Sequence, residues 1–141
     1  MSAASGETQQ TAMQRWVTEF ASIRQWQRGS ERAPHKPLLL LFALGRLQQT
    51  GTSATRFADA ELDLKRLLDD FGPPRPSSPA YPFHYLRSDG FWSVATHDNS
   101  DPGASLTALR ASQATGRLSE TLEQDAASHP ALIPQLARLL L

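Results

Sequence analysis

The chain has 141 residues, with 14 basic and 14 acidic side chains, ten prolines and no cysteine. This length predicts one domain with its own hydrophobic core, and the lack of cysteine excludes disulfides, thiolate metal centres and thiol nucleophiles. The longest apolar run, residues 38–44, is far shorter than the ~20 residues that cross a bilayer. The polar N-terminus does not resemble a signal peptide. We therefore expect a cytoplasmic protein that does not contact a membrane.

The charges are unevenly distributed along the chain. Residues 1–50 carry six basic and three acidic side chains, whereas residues 51–101 carry five basic and eight acidic ones. A chain that is neutral overall is therefore able to present a basic surface to an anionic partner such as nucleic acid. A solvated helix face explains scattered arginines equally well.

The first half of the chain is predicted to be mainly helical. Residues 1–12 are small and polar and indicate a disordered tail, which leaves residues 13–141 as the folded domain. Apolar residues at spacings of three and four predict an amphipathic helix over residues 13–27. Pro37 suits the first turn of a core helix over residues 37–48. A short strand near residues 55–57 and a helix over residues 59–71 follow, with Asp59 as the N-cap.

The second half begins with an unusual concentration of proline. Five of the ten prolines lie within residues 72–82, which predicts a stiff extended loop. Asp89-Gly90 between apolar segments predicts a β-hairpin over residues 84–94. Weaker helical patterns follow at 105–111, 119–127 and 130–140.

These elements predict an α+β fold class that is mainly helical, a compact single domain with a small β-hairpin. Their order is that of a winged helix-turn-helix protein in which a rigid loop replaces the recognition helix.

Catalytic motifs are weak in this sequence. The four histidines lack the i, i+4 pairing of a zinc site. Asp59, Asp63 and Lys65 resemble the carboxylates and lysine of metal-dependent nucleases, but their alternation would align them only on a strand. An acidic first turn that complements the helix dipole is the simpler interpretation. We expect no catalytic residue, no metal and no cofactor, with a small metal-dependent nuclease as the enzymatic alternative.

Two groups of residues suit binding instead. Basic residues cluster between the first two helices, interleaved with Trp26 and His35, and basic groups beside a helix start suit phosphate. The proline-rich segment adds Arg75, serines, and a Tyr81-Pro82 pair that we expect to face outward while Phe83 packs inward. A protein-interaction module of a defence system, binding through this loop, is a further alternative.

Three segments, in order, resemble the sulfur-binding domain of phosphorothioate-dependent restriction endonucleases of the McrA type. They are Ala-Pro-His-Lys-Pro-Leu-Leu-Leu-Leu at 33–41, Phe-Gly-Pro-Pro-Arg at 71–75, and Tyr-Pro-Phe-His-Tyr-Leu at 81–86 leading to Asp-Gly-Phe-Trp at 89–92. The resemblance covers roughly residues 16–140. It implies a reader of double-stranded DNA in which sulfur replaces a non-bridging phosphate oxygen. Such domains usually precede an HNH nuclease domain, and this chain has no HNH motif, so we expect it to bind without cutting, with a nuclease domain or subunit acting in trans.

The resemblance also implies which residues meet the DNA. The sulfur would enter a shallow apolar pocket formed by His35, Lys36, Tyr81, Pro82 and Tyr85. Phosphate and base contacts would come from Arg24, Arg28, Arg32, Arg75 and Ser78. Burying ~30 Å² of sulfur contributes somewhat under 1 kcal/mol, whereas a phosphate oxygen left without a hydrogen-bond donor costs ~1–3 kcal/mol. Selectivity would therefore come mostly from rejection of oxygen.

Overall fold

The computed structural model describes residues 13–23, 35–71 and 78–140. In this part of the chain, no helix has the length and apolarity that a membrane crossing requires. The elements in chain order are α1 (residues 13–23), α2 (His35–Thr50), β1 (Thr55–Arg56), α3 (Phe57–Phe71), α4 (Ala80–Tyr85), a 3-10 helix (Leu86–Asp89), β2 (Trp92–Ala95), α5 (Leu106–Ala111), β3 (Thr115–Leu118), α6 (Glu120–Ser128) and α7 (Leu132–Leu140).

Helix α2 lies at the centre of the core. It packs against α3, α4 and α7, and its residues 38–40, 43, 44 and 47 are all buried. Pro37 lies in the first turn of the helix, where the missing N–H has no intrahelical partner. The predicted core helix is confirmed, and it extends two residues further at each end than residues 37–48.

Two of the later helices begin with a serine cap. Ser105 accepts a hydrogen bond from the backbone N–H of Ala108 at the start of α5, at 3.2 Å. Ser119 accepts one from the backbone N–H of Leu122 at the start of α6, at 3.3 Å. Each hydroxyl satisfies one of the N–H groups that a helix start leaves without a partner. Asp59, in contrast, lies within the first turn of α3 and is not its cap, because the helix begins at Phe57.

The three strands form one antiparallel sheet in the order β1-β3-β2. Val94 and Thr55 both face Gly116 on the central strand, in register on either side. The sequence did not predict β3, because the strand has only four residues and one of them is glycine, a poor strand former. Gly116 is required there: a Cβ atom at this position would lie 2.2 Å from the Trp92 ring and 2.8 Å from the Phe83 ring.

The prediction of a hairpin over residues 84–94 was wrong in its first strand. Residues 84–85 complete α4, and the 3-10 helix follows directly. The Asp89-Gly90 pair ends that helix, since Gly90 has φ of +90° and donates its N–H to the Arg87 carbonyl. A left-handed residue that closes a helix uses the same glycine freedom as a hairpin turn, so the local signal was ambiguous.

The prediction of an extended loop was also wrong for residues 80–82, which are helical. Pro82 is the third residue of α4, within the first turn, where the absent N–H is not needed. Residues 72–77 lie outside the described part of the chain, as does the tail predicted for residues 1–12. The predicted fold class is confirmed as mainly helical with a small antiparallel sheet, and α4 stands where the loop was expected.

Candidate functional site

Helix α4 is fixed to the core through Phe83. The Phe83 ring is buried between Phe57 and Trp92, with ring centroids 4.9 Å and 5.5 Å away in edge-to-face contacts. The Trp92 indole N–H also donates to the Phe83 carbonyl at 2.9 Å. Edge-to-face geometry is favourable for aromatic rings. The helix is therefore held to both β2 and α3, and Phe83 packs inward as predicted.

Two tyrosines form an aromatic surface on α4. Tyr81 and Tyr85 are four residues apart, which places them on one face of the helix, and their ring centroids are 4.6 Å apart. Tyr85 is 44% exposed and Tyr81 is partly buried. The His84 ring meets the Tyr85 ring edge-to-face at 4.7 Å. The structure thus brings together two of the predicted pocket residues as a continuous aromatic patch.

Pro82 and Ser78 have different surroundings from those expected. Pro82 is buried and does not face outward, because the helical turn directs it toward the core beside Phe83. Ser78 is exposed, and its hydroxyl accepts a hydrogen bond from the backbone N–H of Ala80 at 3.2 Å. Ser78 therefore shapes the start of α4.

Lys36 connects the start of α2 to the segment after α4. Its Nζ lies 2.7 Å from Oδ2 of Asp89, and the two side chains are only 14% and 26% exposed. The ion pair brings the predicted basic pocket residue close to the end of the 3-10 helix that continues from Tyr85. His35 begins α2, but its side chain lies outside the described structure, as do Arg24, Arg28, Arg32 and Arg75.

A second polar cluster borders the aromatic patch. Arg87 donates through Nε to the His84 carbonyl at 3.0 Å, and its terminal nitrogen lies 3.1 Å from His84 Nε2 and 3.6 Å from Asp101. Burial and the neighbouring Arg87 charge lower the pKa of His84, despite the opposing effect of Asp101. The lowered pKa favours the neutral ring, and Nε2 accepts from Arg87 because a guanidinium can only donate. Sequence reasoning did not identify Arg87 or Asp89, because their partners are set by the fold.

The residues of the nuclease alternative are dispersed or paired. Asp59 and Asp63 are exposed on α3, and Lys65 pairs with Asp69 at 2.5 Å along the same helix. The intervening Glu61 is bound by Arg110 of α5 through two hydrogen bonds. Within residues 13–23, 35–71 and 78–140, no group of three or more metal-ligating side chains is close enough to hold an ion. These carboxylates would share one face only on a strand, and the structure has a helix at residues 57–71.

Comparison with known proteins identifies the family. The family model described as "ScoMcrA-like, DNA sulfur-binding domain" matches residues 13–141. The chain belongs to this family. The family resemblance found in the sequence is therefore confirmed, and the match spans α1, the aromatic surface of α4 and the helices of the C-terminal half.

Solved sulfur-binding domains share the fold. The sulfur-binding domain of SprMcrA, solved in complex with phosphorothioated DNA, is 26% identical over 75% of this chain and 69% of its own, with a TM-score of 0.60. That of ScoMcrA, also with phosphorothioated DNA, is 23% identical over 75% and 72% of the two chains, with a TM-score of 0.64. The type IV phosphorothioation-dependent restriction endonuclease ScoMcrA matches over 22% of its own chain, at 23% identity, with a TM-score of 0.64. No curated protein sequence matches this sulfur-binding domain.

Proposed function

We propose that this sulfur-binding domain binds phosphorothioate-modified double-stranded DNA and distinguishes it from ordinary DNA. The observation that carries the proposal is the family match over residues 13–141. The SprMcrA domain, 26% identical, supports it because its structure was solved in complex with phosphorothioated DNA. The exposed aromatic patch on α4 supplies a surface of suitable chemistry.

The proposed sulfur pocket would lie between α4 and the start of α2, two helices that pack against each other. Tyr81 and Tyr85 would supply apolar ring surface, and the buried Pro82 would form the floor beneath them. Lys36 would contribute at the α2 side, together with His35, the first residue of that helix. Ring and pyrrolidine surfaces have no donors for a phosphate oxygen, so oxygen would lose its hydration there without replacement.

The flanking DNA would be bound by arginine side chains and by the residues just before α4. We assign phosphate or base contacts to Arg24, Arg28, Arg32 and Arg75, and a further contact to Ser78 at the exposed start of α4. Phosphate contacts position a protein on the duplex, whereas arginine is the commonest reader of guanine. Such contacts make the affinity fall with rising salt concentration for modified and unmodified DNA alike.

We also propose that the domain binds in the cytoplasm without cutting, and that cleavage belongs to a nuclease domain or subunit beyond these residues. In ScoMcrA, the matching region is 22% of an endonuclease chain. Lys65 pairs with Asp69, and Glu61 is bound by Arg110. These separate partners favour a binding role over a metal-dependent nuclease.

A titration with two matched duplexes tests the proposal. Labelled duplexes that differ only in one Rp phosphorothioate linkage, with the flanking bases varied across a pool, would be titrated by fluorescence anisotropy. We expect binding at least about tenfold tighter for the sulfur duplex, which corresponds to ~1.4 kcal/mol. Equal affinity for all matched pairs would refute the proposal. Incubating the same mixtures with Mg²⁺ or Mn²⁺ should leave the DNA intact, and cleavage would restore the nuclease alternative.

A further inference from the structure

An acidic residue lies within the proposed DNA-binding surface. Asp89 Oδ2 is 2.7 Å from Lys36 Nζ, in a pair that joins residues 53 positions apart in the sequence. A carboxylate repels the phosphate backbone, so its presence beside a lysine proposed to meet DNA needs an explanation. Stabilisation of the fold is a weak explanation, because the pair is largely withdrawn from solvent and the cost of desolvating both charges offsets much of their attraction.

The fold holds Asp89 firmly in this position. It is the last residue of the 3-10 helix, whose first residue, Leu86, is fully buried. Gly90 then turns the chain with φ of +90°, and the buried Phe91 follows, stacked on Phe20 at a centroid distance of 5.1 Å. Asp89 is therefore anchored on both sides within a few residues. The backbone of Asp89 is thus held where its carboxylate reaches Lys36.

We propose that Asp89 is a specificity-determining residue that acts through Lys36, an inference that rests on the proposed function. The carboxylate neutralises the Lys36 ammonium and occupies one of its donors. An ordinary phosphate at this position therefore gains little from Lys36. A phosphorothioate depends less on a charged donor, because its sulfur is larger, more weakly hydrated and accommodated by ring surfaces. Asp89 thus weakens binding of unmodified DNA more than binding of modified DNA.

The variant Asp89→Asn tests this inference, since it keeps the shape of the side chain and removes its charge. Freed Lys36 should then bind a phosphate oxygen of ordinary DNA. We expect affinity for the unmodified duplex to rise about three- to tenfold and affinity for the sulfur duplex to rise less than about twofold. The salt dependence of log K for unmodified DNA should steepen by about 0.9, the value for one additional phosphate contact.

A double-mutant cycle separates this role from a purely structural one. In a Lys36→Gln background, Asp89→Asn should leave the sulfur-to-oxygen affinity ratio unchanged, because the residue through which Asp89 acts has gone. Asp69→Asn is the matched control: it breaks the exposed Lys65–Asp69 pair on α3 and should not alter the ratio in the wild-type background. Melting curves of each variant would establish that it is folded.

The outcomes distinguish this inference from the proposed function. If the wild-type protein shows no preference for sulfur, the proposed function fails and this inference fails with it. If the wild-type protein prefers sulfur but Asp89→Asn changes both affinities by the same factor, only the role of Asp89 is overturned. The role of Asp89 is also overturned if Asp89→Asn lowers the stability and both DNA affinities together, and if the double variant Lys36→Gln/Asp89→Asn, which removes both charges, recovers neither the stability nor the affinities.

Discussion

Tyr81 and Tyr85 illustrate what single residues contribute to this surface. Their side chains share one face of α4 because they are four positions apart, and the rings contact each other at a centroid distance of 4.6 Å. Tyr81 is the more buried of the two tyrosines. A small ligand on this face of α4 would therefore contact the Tyr81 ring on the core side of Tyr85. In the proposed pocket, we expect the bulky Tyr85 ring to form a side wall next to Tyr81.

Tyr81→Ala should erode the discrimination between the two duplexes. We expect affinity for the sulfur duplex to fall about five- to tenfold, because the aromatic surface that would cover the sulfur is removed. Affinity for the unmodified duplex should change less than about twofold. Anisotropy titrations of both duplexes measure this ratio.

Tyr81→Phe is the matched control for this prediction. It retains the ring and lacks the hydroxyl, so it should keep most of the preference for sulfur. A uniform loss of affinity for both duplexes in Tyr81→Ala would instead indicate that Tyr81 contacts the DNA backbone without reading sulfur.

Among single residues, the sequence motifs suggested pocket roles for Lys36 and Tyr81 and gave Asp89 no binding role. Each segment of the motif is contiguous, so it shows which residue types are neighbours in the sequence and not which segments contact each other. The partner of Lys36 lies 53 positions away, and no local pattern specifies that distance. Asp89 was interpreted as part of a turn, because Asp-Gly is also a strong turn signal.

At the scale of elements, α4 depends on the sheet behind it. Phe83 and Trp92 fill the space above Gly116, and a Cβ atom there would lie 2.2 Å from one ring and 2.8 Å from the other. Both rings are buried and therefore have little room to move aside. The position of α4, and with it the aromatic patch, is therefore set by the absence of a side chain on the central strand.

Gly116→Ala should destabilise the domain and displace α4. We expect the free energy of unfolding to fall by about 1–3 kcal/mol, as for other overpacked cores. Affinity for the sulfur duplex should fall as well, because Phe83 would shift and move Tyr81 with it. Urea denaturation followed by tryptophan fluorescence, together with the binding titration, measures both effects.

Gly45→Ala provides the comparison. Gly45 lies within α2, and a Cβ atom there would come within 4 Å of no atom outside its own stretch of helix. Alanine should stabilise the helix by about 0.5–1 kcal/mol. If Gly116→Ala proved equally harmless, the packing of α4 against the sheet would not be what positions the site.

At the scale of the whole molecule, Glu123 joins three separate parts of the chain. Its carboxylate accepts hydrogen bonds from the Ser53 backbone N–H at 2.7 Å and the Ser53 hydroxyl at 2.6 Å, and it pairs with Arg117 of β3. The Ser53 hydroxyl in turn accepts from the Leu118 N–H at 2.8 Å. The network therefore ties α6 to the segment before β1 and to the central strand.

This network should make the stability of the domain depend on pH. Burial acts to raise the pKa of Glu123, but the hydrogen bonds from Ser53 and the Arg117 charge outweigh it and hold the pKa below the ordinary value of 4.5. A carboxyl whose pKa is lower in the folded state stabilises the fold above the unfolded pKa. That stabilisation is lost as the pH falls through the folded pKa.

Glu123→Gln should lower the free energy of unfolding by about 2 kcal/mol at pH 7, because charge-assisted hydrogen bonds are replaced by weaker ones. The difference from wild type should narrow as the pH falls from 7 to 3. Urea denaturation at several pH values measures it. Glu120→Gln, at an exposed position in the first turn of the same helix, should change stability by less than about 0.5 kcal/mol at every pH. A constant difference between wild type and Glu123→Gln across this range would contradict the assignment.

Features that depend on residues close together in the chain were predictable from the sequence alone. Helix α2 follows from the apolar run after Pro37, and α3 follows from its spaced leucines, because a helix is built from contacts three and four residues apart. The family was also accessible, since its motifs are contiguous segments.

Long-range packing, in contrast, sets the conformation of residues 80–89, the pairing of β3 and the contact between Lys36 and Asp89. Proline density and an Asp-Gly pair suit a loop and a hairpin as well as the first turn and the end of short helices. Burial of Phe83 and Trp92 favours the observed conformation. Both rings pack over Gly116, which requires a helical α4 and a central β3 in the sheet. Burial of large rings against distant parts of the chain outweighs the weak local preferences of a ten-residue segment, which is why the site had to be seen in three dimensions.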